Sequence, residues 1–351
     1  RALEENPDKR IFLLSEMIHN PHVNADLRQR GVQFLCDTAG VQLIPFDVLT
    51  PNDVVIVPAF GATLEVQAEL NRYGIDPYAY NTTCPFVEKV WKKSQEIGQQ
   101  NYTIVVHGKR YHEETRATFS HAKTEAPVVV VRDLAEAKAL ARVIRGEESR
   151  EFFFEYFMGR YSPGFNPDSY LQRIGVVNQT TMLATETQAI ADLLRGAMVG
   201  RYGEEHIDEH FADTKDTLCY ATKENQDATI ALIEDSGDVA VVVGGYNSSN
   251  TSHLVELCEQ KMQTYFICDA GEMISPARIQ HLDIHTKTIR ESVDWLPMNH
   301  PDGSPVDIVL TAGASCPDSL LDEVVHKVVP WFPETRSIDA VLAPYREPGV
   351  G

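Results

Sequence analysis

Short apolar runs alternate with polar loops and helix-like stretches along the chain, and the same loop pattern occurs three times. One set of loops follows the runs IFLL, TIVV and VAVVV, and begins at Ser15, His107 and Gly244. A second set follows VVIV, IGVV and DIVL, and begins at Pro58, Asn178 and Thr311. Apolar runs of this length are typical of buried strands. The pattern therefore predicts a triplicated strand–loop–helix unit.

Strands that alternate with helices predict parallel sheets. We therefore expect an α/β trefoil of three pseudo-symmetric units, each with a small parallel sheet, around one central site. The predicted segments are residues 1–83, 84–213 and 214–329, followed by a tail, 330–351, that packs back on the body. An aromatic-rich insertion, residues 151–173, is expected to pack on the surface or to form a dimer contact. Ligands of parallel sheets bind where the strands end, so the three sets of loops predict one shared site.

Two cysteines, Cys84 and Cys219, occupy matching places in the repeat, because each stands just before a predicted helix that leads to the next strand. By the same register we expect a third cysteine upstream of Arg1, in a chain truncated at its N-terminus. Alternatively, the repeat decays at its end and has no third cysteine. Three thiolates suit one [4Fe–4S] cluster with an open iron that acts as a Lewis acid. A buried apolar role is expected for the other four cysteines, which are Cys36, Cys258, Cys268 and Cys316.

The loops at the strand ends carry imidazole, hydroxyl and amide side chains just before predicted helices. Backbone N–H groups at helix starts attract anions, so these loops predict a cradle for phosphate oxygens. The chain contains neither GxxxxGK[ST] nor GxGxxG, which argues against a nucleoside triphosphate or a dinucleotide. His112 could instead simply cap the helix that begins with Glu113 and Glu114. His206 and His210 could bind a metal ion, but their acidic surroundings favour a solvated helix.

The composition excludes several classes of function. A net charge of −20 over 351 residues argues against a nucleic-acid partner. No apolar run approaches the length of a membrane span. Six cysteines without a C-x-x-C pair do not form a disulfide framework, which indicates a reducing compartment. We expect a cytoplasmic protein, or a stromal one if the source is plant-like.

The ordered motifs EMIHNPHV, NTTCPFVEKV, HEETRAT, NQTT, DTLCYAT, NSSNTSHL and TAGAS resemble those of the 4-hydroxy-3-methylbut-2-enyl diphosphate reductase family. The resemblance extends from about Ile11 to Val329 and is closest to the plant- and cyanobacterium-like branch. It implies reductive dehydroxylation of that diphosphate to isopentenyl and dimethylallyl diphosphate. It also implies one [4Fe–4S] cluster per chain, a ferredoxin- or flavodoxin-type electron donor, and neither a nucleic-acid nor a membrane partner.

By the same resemblance, Cys84 and Cys219 are two cluster ligands and Glu114 is the proton-delivering acid. The implied substrate contacts are His19, His112, Thr180, Ser248, Ser249, Asn250 and Ser315. Phe60 stands where many bacterial members carry a His that contacts the diphosphate. Two alternatives remain open. One is a redox-neutral [4Fe–4S] lyase or synthase, whose carboxylate substrates call for Arg rather than Ser, Asn and His. The other is an inactive diphosphate-binding fragment.

Overall fold

The computed structural model describes residues 1–212, 217, 219–235, 237–332 and 335–343. The chain divides into two compact units, Arg1–Gln226 (unit 1) and Asp227–Gly351 (unit 2). The predicted boundary at residues 213–214 lies outside the described residues, as does the end of the predicted tail, 344–351. The division into three segments stays a prediction.

Unit 1 contains two three-stranded parallel sheets, built from the predicted apolar runs. In each sheet the strand that comes first in the sequence lies in the middle. The strands are β1 (Ile11–Leu13), β2 (Gln33–Phe34), β3 (Val54–Ile56), β4 (Thr103–His107), β5 (Val128–Val131) and β6 (Ile174–Asn178). Every residue of β4, β5 and β6 is buried, as expected for a parallel sheet covered on both faces.

Helices cover these sheets and begin where the loops supply caps. The helices are α1 (Ala2–Glu5), α2 (Pro21–Gln29), α3 (Leu64–Arg72), α4 (Pro85–Gln99), α5 (Glu113–Ala122), α6 (Leu134–Ile144), α7 (Arg150–Tyr156), α8 (Pro167–Tyr170), α9 (Ala184–Tyr202), α10 (Ile207–His210) and α11 (Tyr220–Glu234), the last of which crosses the boundary between the units. Asn20 caps α2, where its side chain accepts hydrogen bonds from two backbone N–H groups, and Pro21 follows at the first helical position. One face of the second sheet packs on α6 and α9 and the other on α4 and α5.

The aromatic insertion packs several of its rings into the core of unit 1, deeper than a surface layer, and the alternative of a dimer contact stays a prediction. Phe153 and Phe157 are fully buried, and Phe165 stacks on Phe153 with ring centroids 5.1 Å apart. These rings pack against the face of the second sheet that also carries α6 and α9. Burying large rings there contributes more to the free energy of folding than a surface layer could, because it removes far more apolar area from water.

Unit 2 contains one mixed sheet with a parallel half that repeats the strand order of unit 1. Strand β7 lies between β8 and β12 in parallel, and an antiparallel hairpin extends the sheet on the β8 side. The strands are β7 (Val239–Val243), β8 (Gln263–Ile267), β9 (Met273–Ser275), β10 (Arg278–Asp283), β11 (Thr288–Val293) and β12 (Ile308–Ala312). The helices are α12 (Ser249–Glu259), α13 (Asp318–Val328) and α14 (Ile338–Leu342).

The core of unit 2 lies between β7, β8 and α13. Leu320 and Val324 of α13 belong to the same hydrophobic cluster as Val241 of β7. Trp295 closes the same core, and Trp331, after α13, meets it edge to face with ring centroids 6.3 Å apart. In all, the prediction of an α/β fold with small parallel sheets is confirmed. Among the described residues, no helix has both the length and the apolar character needed to cross a bilayer.

Candidate active site

Three aromatic side chains meet at the carboxyl ends of β1, β3 and β4 in unit 1. The His19 ring stacks on the Phe60 ring, with centroids 4.3 Å apart. His112 faces both rings edge-on, at 5.1 Å from His19 and 5.5 Å from Phe60. Each residue lies in the loop after its strand, where ligands of parallel sheets bind; β1 and β3 belong to the first sheet and β4 to the second. The loops that the repeat predicts to share a site therefore do meet within unit 1.

His112 has two contacts that fix the position of its proton. Its Nδ1 accepts a hydrogen bond of 3.2 Å from the backbone N–H of Glu114, so the residue caps α5. Its Nε2 lies 3.3 Å from Nε2 of His19. Assigned from this network, the neutral ring carries its proton on Nε2. Removal from water and the neighbouring His19, Lys109 and Arg116 side chains hold the pKa of His112 well below its usual value. His112 is therefore both the helix cap and a neutral donor at the site.

Glu114 is a buried carboxyl at the start of α5. It accepts hydrogen bonds from the backbone N–H of Thr180, at 2.5 Å, and from the Thr180 hydroxyl, at 2.9 Å. Burial raises the pKa of Glu114 to about 7, and the two bonds from Thr180 oppose that rise. A carboxyl with a pKa near neutrality can hold a proton and release it, as a general acid must.

The Gln179 side chain links the end of β6 to the loop after β4 and the first turn of α5, which carries Glu114. Its Oε1 accepts hydrogen bonds from the Thr115 hydroxyl, at 2.9 Å, and from the backbone N–H of Lys109, at 3.1 Å. A Cβ at Gly108 would lie 2.6 Å from Oγ1 of Thr115, so only glycine permits this close approach. These contacts hold the β4 and β6 loops together.

The two predicted cluster ligands are free and half-buried, and each is tied to this site by backbone or loop contacts. The backbone N–H of Cys84 donates to the carbonyl of Ala59, at 2.9 Å, beside the ring of Phe60. Thr217, two residues before Cys219, donates its hydroxyl to Asn178 at the end of β6. Cys84 is the N-cap residue of α4 but makes no capping hydrogen bond, so its sulfur is available as a ligand.

The other cysteines are chemically different. Burial raises the thiol pKa of Cys36, Cys258 and Cys316 to about 11 and that of Cys268 to about 12, which disfavours the thiolate that iron requires. Two free, half-buried thiols at the starts of long helices have the donor chemistry of an iron–sulfur site. Among the described residues, no three His, Cys, Asp or Glu side chains gather as they would around a single metal ion.

In unit 2 the predicted contacts lie at the start of α12 and in the loop after β12. Ser248 caps α12 and accepts a hydrogen bond from the backbone N–H of Thr251, at 3.2 Å. Ser249 and Asn250 are buried in the first turn, and no protein group bonds to either polar atom of the Asn250 side chain. Ser315 is half-buried after β12. A buried amide without a protein partner at a helix start is suited to an anionic ligand.

The loops after β7 and β12 both pack against the side chain of Thr251. A Cβ at Gly244 would lie 2.6 Å from Oγ1 of Thr251, and a Cβ at Gly313 would lie 2.0 Å from the same atom. Both loops therefore need glycine where they pass the first turn of α12. This packing sets the spacing between the Ser248 loop and the Ser315 loop.

The structure brings four of the predicted site residues together in unit 1, namely His19, His112, Glu114 and Thr180, and places the other four substrate contacts in unit 2. His206 and His210 do not form a metal site: His206 is exposed, and His210 stacks on Tyr202 at 3.6 Å. Sequence reasoning missed Glu113, whose buried carboxyl lies 3.4 Å from His19 Nε2. The sequence does carry a signal for Glu113, because two adjacent acids at a helix start must point in different directions. One acid is enough to complement the helix dipole, so the second acid can contact another group.

Known proteins of one family resemble this chain. The LytB protein family matches residues 1–329. The 4-hydroxy-3-methylbut-2-enyl diphosphate reductase of Synechococcus sp. (strain CC9311) is 41% identical over 325 residues, which are 92% of this chain and 78% of the relative. The protein of the same name from Thermosynechococcus vestitus is also 41% identical over 325 residues, covering 92% of this chain and 77% of the relative.

Solved structures agree in fold. The E-1-hydroxy-2-methyl-but-2-enyl-4-diphosphate reductase of Plasmodium falciparum matches with a TM-score of 0.63 at 19% identity, over 91% of this chain and 78% of that one. A structure of (E)-4-hydroxy-3-methyl-but-2-enyl diphosphate reductase matches with a TM-score of 0.52 at 21% identity, over 93% of this chain and 90% of that one. The LytB family consists of iron–sulfur oxidoreductases of isoprenoid biosynthesis. This chain belongs to the LytB family.

Proposed function

We propose that this protein reductively removes the C4 hydroxyl of 4-hydroxy-3-methylbut-2-enyl diphosphate. The substrate takes up two electrons and two protons, its C–O bond breaks, and water leaves with isopentenyl or dimethylallyl diphosphate as the product. The observation that carries the proposal is the buried, protonatable Glu114 beside the His19–His112 pair, at the strand ends of a LytB-family chain.

Cys84 and Cys219 would hold two corners of a [4Fe–4S] cluster, with a third ligand as the repeat predicts. When bound, such a cluster supplies electrons one at a time and an open iron as a Lewis acid. The two thiols fit this role because both are free, half-buried and placed at helix starts that are tied to the site loops.

Glu114 would supply a proton to the departing hydroxyl. Its pKa of about 7 allows it to carry that proton at neutral pH, and Thr180 holds the carboxyl in one orientation through two bonds. A diphosphate nearby adds negative charge, which raises the pKa of the carboxyl further and favours the protonated form. The Nε2 proton of the neutral His112 can be donated to a phosphate oxygen without loss of the helix cap.

The neutral groups of unit 2 would bind the diphosphate. Ser248, Ser249 and Asn250 present hydroxyl, amide and backbone N–H donors at the start of α12, and Ser315 adds a hydroxyl from the next loop. Hydrogen bonds to a charged partner contribute about 1.5–3 kcal/mol each to binding. The loops GGYNSSN and TAGASC contain no Arg, which makes a carboxylate substrate, and with it the redox-neutral lyase, the weaker alternative.

The test is product formation by the protein expressed from its own start codon and purified without oxygen. We expect the two alkenyl diphosphates to form only when a reductant such as dithionite-reduced methyl viologen is present, at two electrons per product. Turnover of the diphosphate without consumption of reductant would favour the lyase. Binding without turnover in a protein that contains iron would favour the inactive diphosphate-binding protein.

A matched pair of cysteine variants tests the ligand assignment. Cys84→Ser should lose bound iron and visible absorption, because a serine oxygen is a poor ligand for an iron–sulfur cluster. Cys316→Ser is the control, since Cys316 is also half-buried in a strand-end loop but has a thiol pKa raised to about 11. Equal loss of iron in both variants would contradict the assignment of Cys84.

A further inference from the structure

Glu113 is a second buried carboxyl at the start of α5, and it points away from Glu114. The Glu114 side chain turns to Thr180, whereas the Glu113 side chain turns to the loop after β1. Only 6% of Glu113 is exposed, and its Oε2 lies 3.4 Å from Nε2 of His19. A carboxyl with so little access to water either holds a proton or shares one with a neighbour.

His19 Nε2 is the point where two groups meet. It lies 3.3 Å from Nε2 of His112 and 3.4 Å from Oε2 of Glu113. Its other nitrogen, Nδ1, lies 3.4 Å from the carboxylate of Glu16, whose side chain is 22% exposed. Glu113 and Glu16 thus lie at the two nitrogens of the His19 ring, and Glu16 is the carboxylate of the two that reaches water.

The charged groups around Glu113 come from the loop after β1, from α5 and from the loop after β2. The loop after β1 contributes His19 and Glu16, and α5 contributes Arg116 one turn further along. Burial raises the pKa of Glu113 to about 7. The positive charges of His19 and Arg116 oppose that rise, and the charge of Glu16 adds to it.

Two further contacts complete these surroundings. Ser15, in the loop after β1, acts to lower the pKa of Glu113. From the loop after β2, Cys36 feels the negative charges of Glu113 and Asp37. Near neutral pH the proton on Glu113 is therefore only loosely held, and a new charge nearby would change its occupancy.

We propose that Glu113, which lies 3.4 Å from Nε2 of His19, takes up a proton from solvent when a diphosphate binds beside His19 and His112, which makes Glu113 a positioning residue for the anion. The inference rests on the proposed function, which places the diphosphate there. The reason is electrostatic: an added anion favours the protonated state of every group close to it. The proton comes from the buffer, and no covalent bond changes except N–H or O–H.

The test is isothermal titration calorimetry with inorganic diphosphate, in two buffers of different ionisation enthalpy at pH 7.5. The difference between the buffers gives the number of protons taken up on binding. We expect Glu113→Gln to take up about half a proton less than the wild type and to bind about two- to fourfold more tightly at pH 7.5, because the neutral amide needs no proton before the anion binds. The ligand's own proton uptake is the same for both proteins and cancels in the comparison.

Glu136→Gln is the matched control. Glu136 is equally buried in the first turn of α6, but it pairs with Arg160. It should match the wild type in proton uptake. Steady-state kinetics with the substrate give a second readout: Glu113→Gln should lower KM by about two- to fourfold at pH 7.5 and leave kcat within about twofold, because no proton has to be taken up before the anion binds. If Glu113→Gln does not fold, Glu113→Asp keeps a carboxyl and should keep the proton uptake.

Each outcome decides between the two proposals. Equal proton uptake by Glu113→Gln and the wild type, with binding retained, would overturn the role of Glu113 and leave the proposed function intact. A fall in kcat at unchanged KM would make Glu113 a proton donor instead of a positioning residue. Absence of diphosphate binding by the wild type would overturn the diphosphate site and this inference together.

Discussion

In unit 1 the strand-end loops hold two imidazoles and two buried carboxyls, whereas in unit 2 the matching loops hold hydroxyls and an amide. Both units place the first strand of a parallel set between the other two, so the backbone geometry is shared. The pKa values of Glu113 and Glu114 are raised to about 7, while GGYNSSN and TAGASC contain no charged residue. Under the proposed function, the same architecture would carry proton chemistry in one unit and neutral anion recognition in the other.

Glu114→Gln should break the proton chemistry of unit 1 with the largest effect. The amide keeps the size of the side chain but cannot release the proton, so kcat should fall by about 10²-fold or more with KM little changed. In the wild type, kcat/KM should fall as the pH rises through about 7, where Glu114 of the free enzyme loses its proton, and kcat should fall at a higher pH. Steady-state turnover with an artificial electron donor measures both effects. Wild-type turnover by Glu114→Gln would move the acid role to another group, with His112 next.

Ser248→Ala tests the neutral side of the comparison. It removes one hydroxyl donor to the diphosphate, so KM should rise by roughly 10- to 100-fold with kcat nearly unchanged. Loss of the α12 cap should also cost about 1 kcal/mol in the free energy of unfolding. Kinetics and thermal unfolding of the same preparation separate the two losses. A lower kcat at constant KM would show that unit 2 takes part in the chemistry.

Unfolding measured over a range of pH values tests the proton chemistry of unit 1 without any substrate. The pKa of Glu114 is raised from 4.5 to about 7 in the fold, so its contribution to stability is complete below about pH 4.5 and is lost as the pH rises through about 7. Glu114→Gln has no such loss. Its free energy of unfolding should therefore rise by about 2 kcal/mol relative to that of the wild type between pH 5 and pH 8. The difference in Tm between Glu114→Gln and the wild type should therefore grow by a few degrees over the same pH range.

Glu65→Gln is the control for that series. Partial burial acts to raise the pKa of Glu65, but hydrogen bonds from Lys123 and Ser120 lower it to about 2. Its contribution is lost only as the pH falls through that range, so the Tm difference of this variant should be flat from pH 5 to 8. A flat difference for Glu114→Gln as well would contradict the raised pKa of Glu114.

Phe60→Leu should have the smallest effect. The Phe60 ring stacks on His19 at 4.3 Å, and such contacts are worth about 0.5–1.5 kcal/mol beyond burial. Without the stack, His19 should be held less firmly and KM should rise about threefold. Kinetics beside Phe154→Leu, a ring remote from the imidazoles, would show whether the change is specific.

Strands buried on both faces could be predicted from the sequence, because a parallel sheet needs a continuous apolar run. The hairpin of β10 and β11 could not be predicted in this way, since most of β11 is exposed and carries no such run. Its turn uses Lys287 at φ 58, a conformation that the residue type does not reveal. The strand-end loops could be placed by their repeat. The pairing of Glu113 with His19 could not, because it depends on which way two adjacent side chains turn.

The cap that His112 forms on α5 gives acid a way to act on the fold itself. Its Nδ1 accepts the N–H of Glu114, so a proton on that nitrogen would replace an attraction with a repulsion at the first turn of the helix. Acidification would then loosen the same turn that carries both carboxyls. The lower pH limit of this protein would be set by the unwinding of a helix end, and it would be seen as faster amide exchange at Glu114 before any loss of global structure.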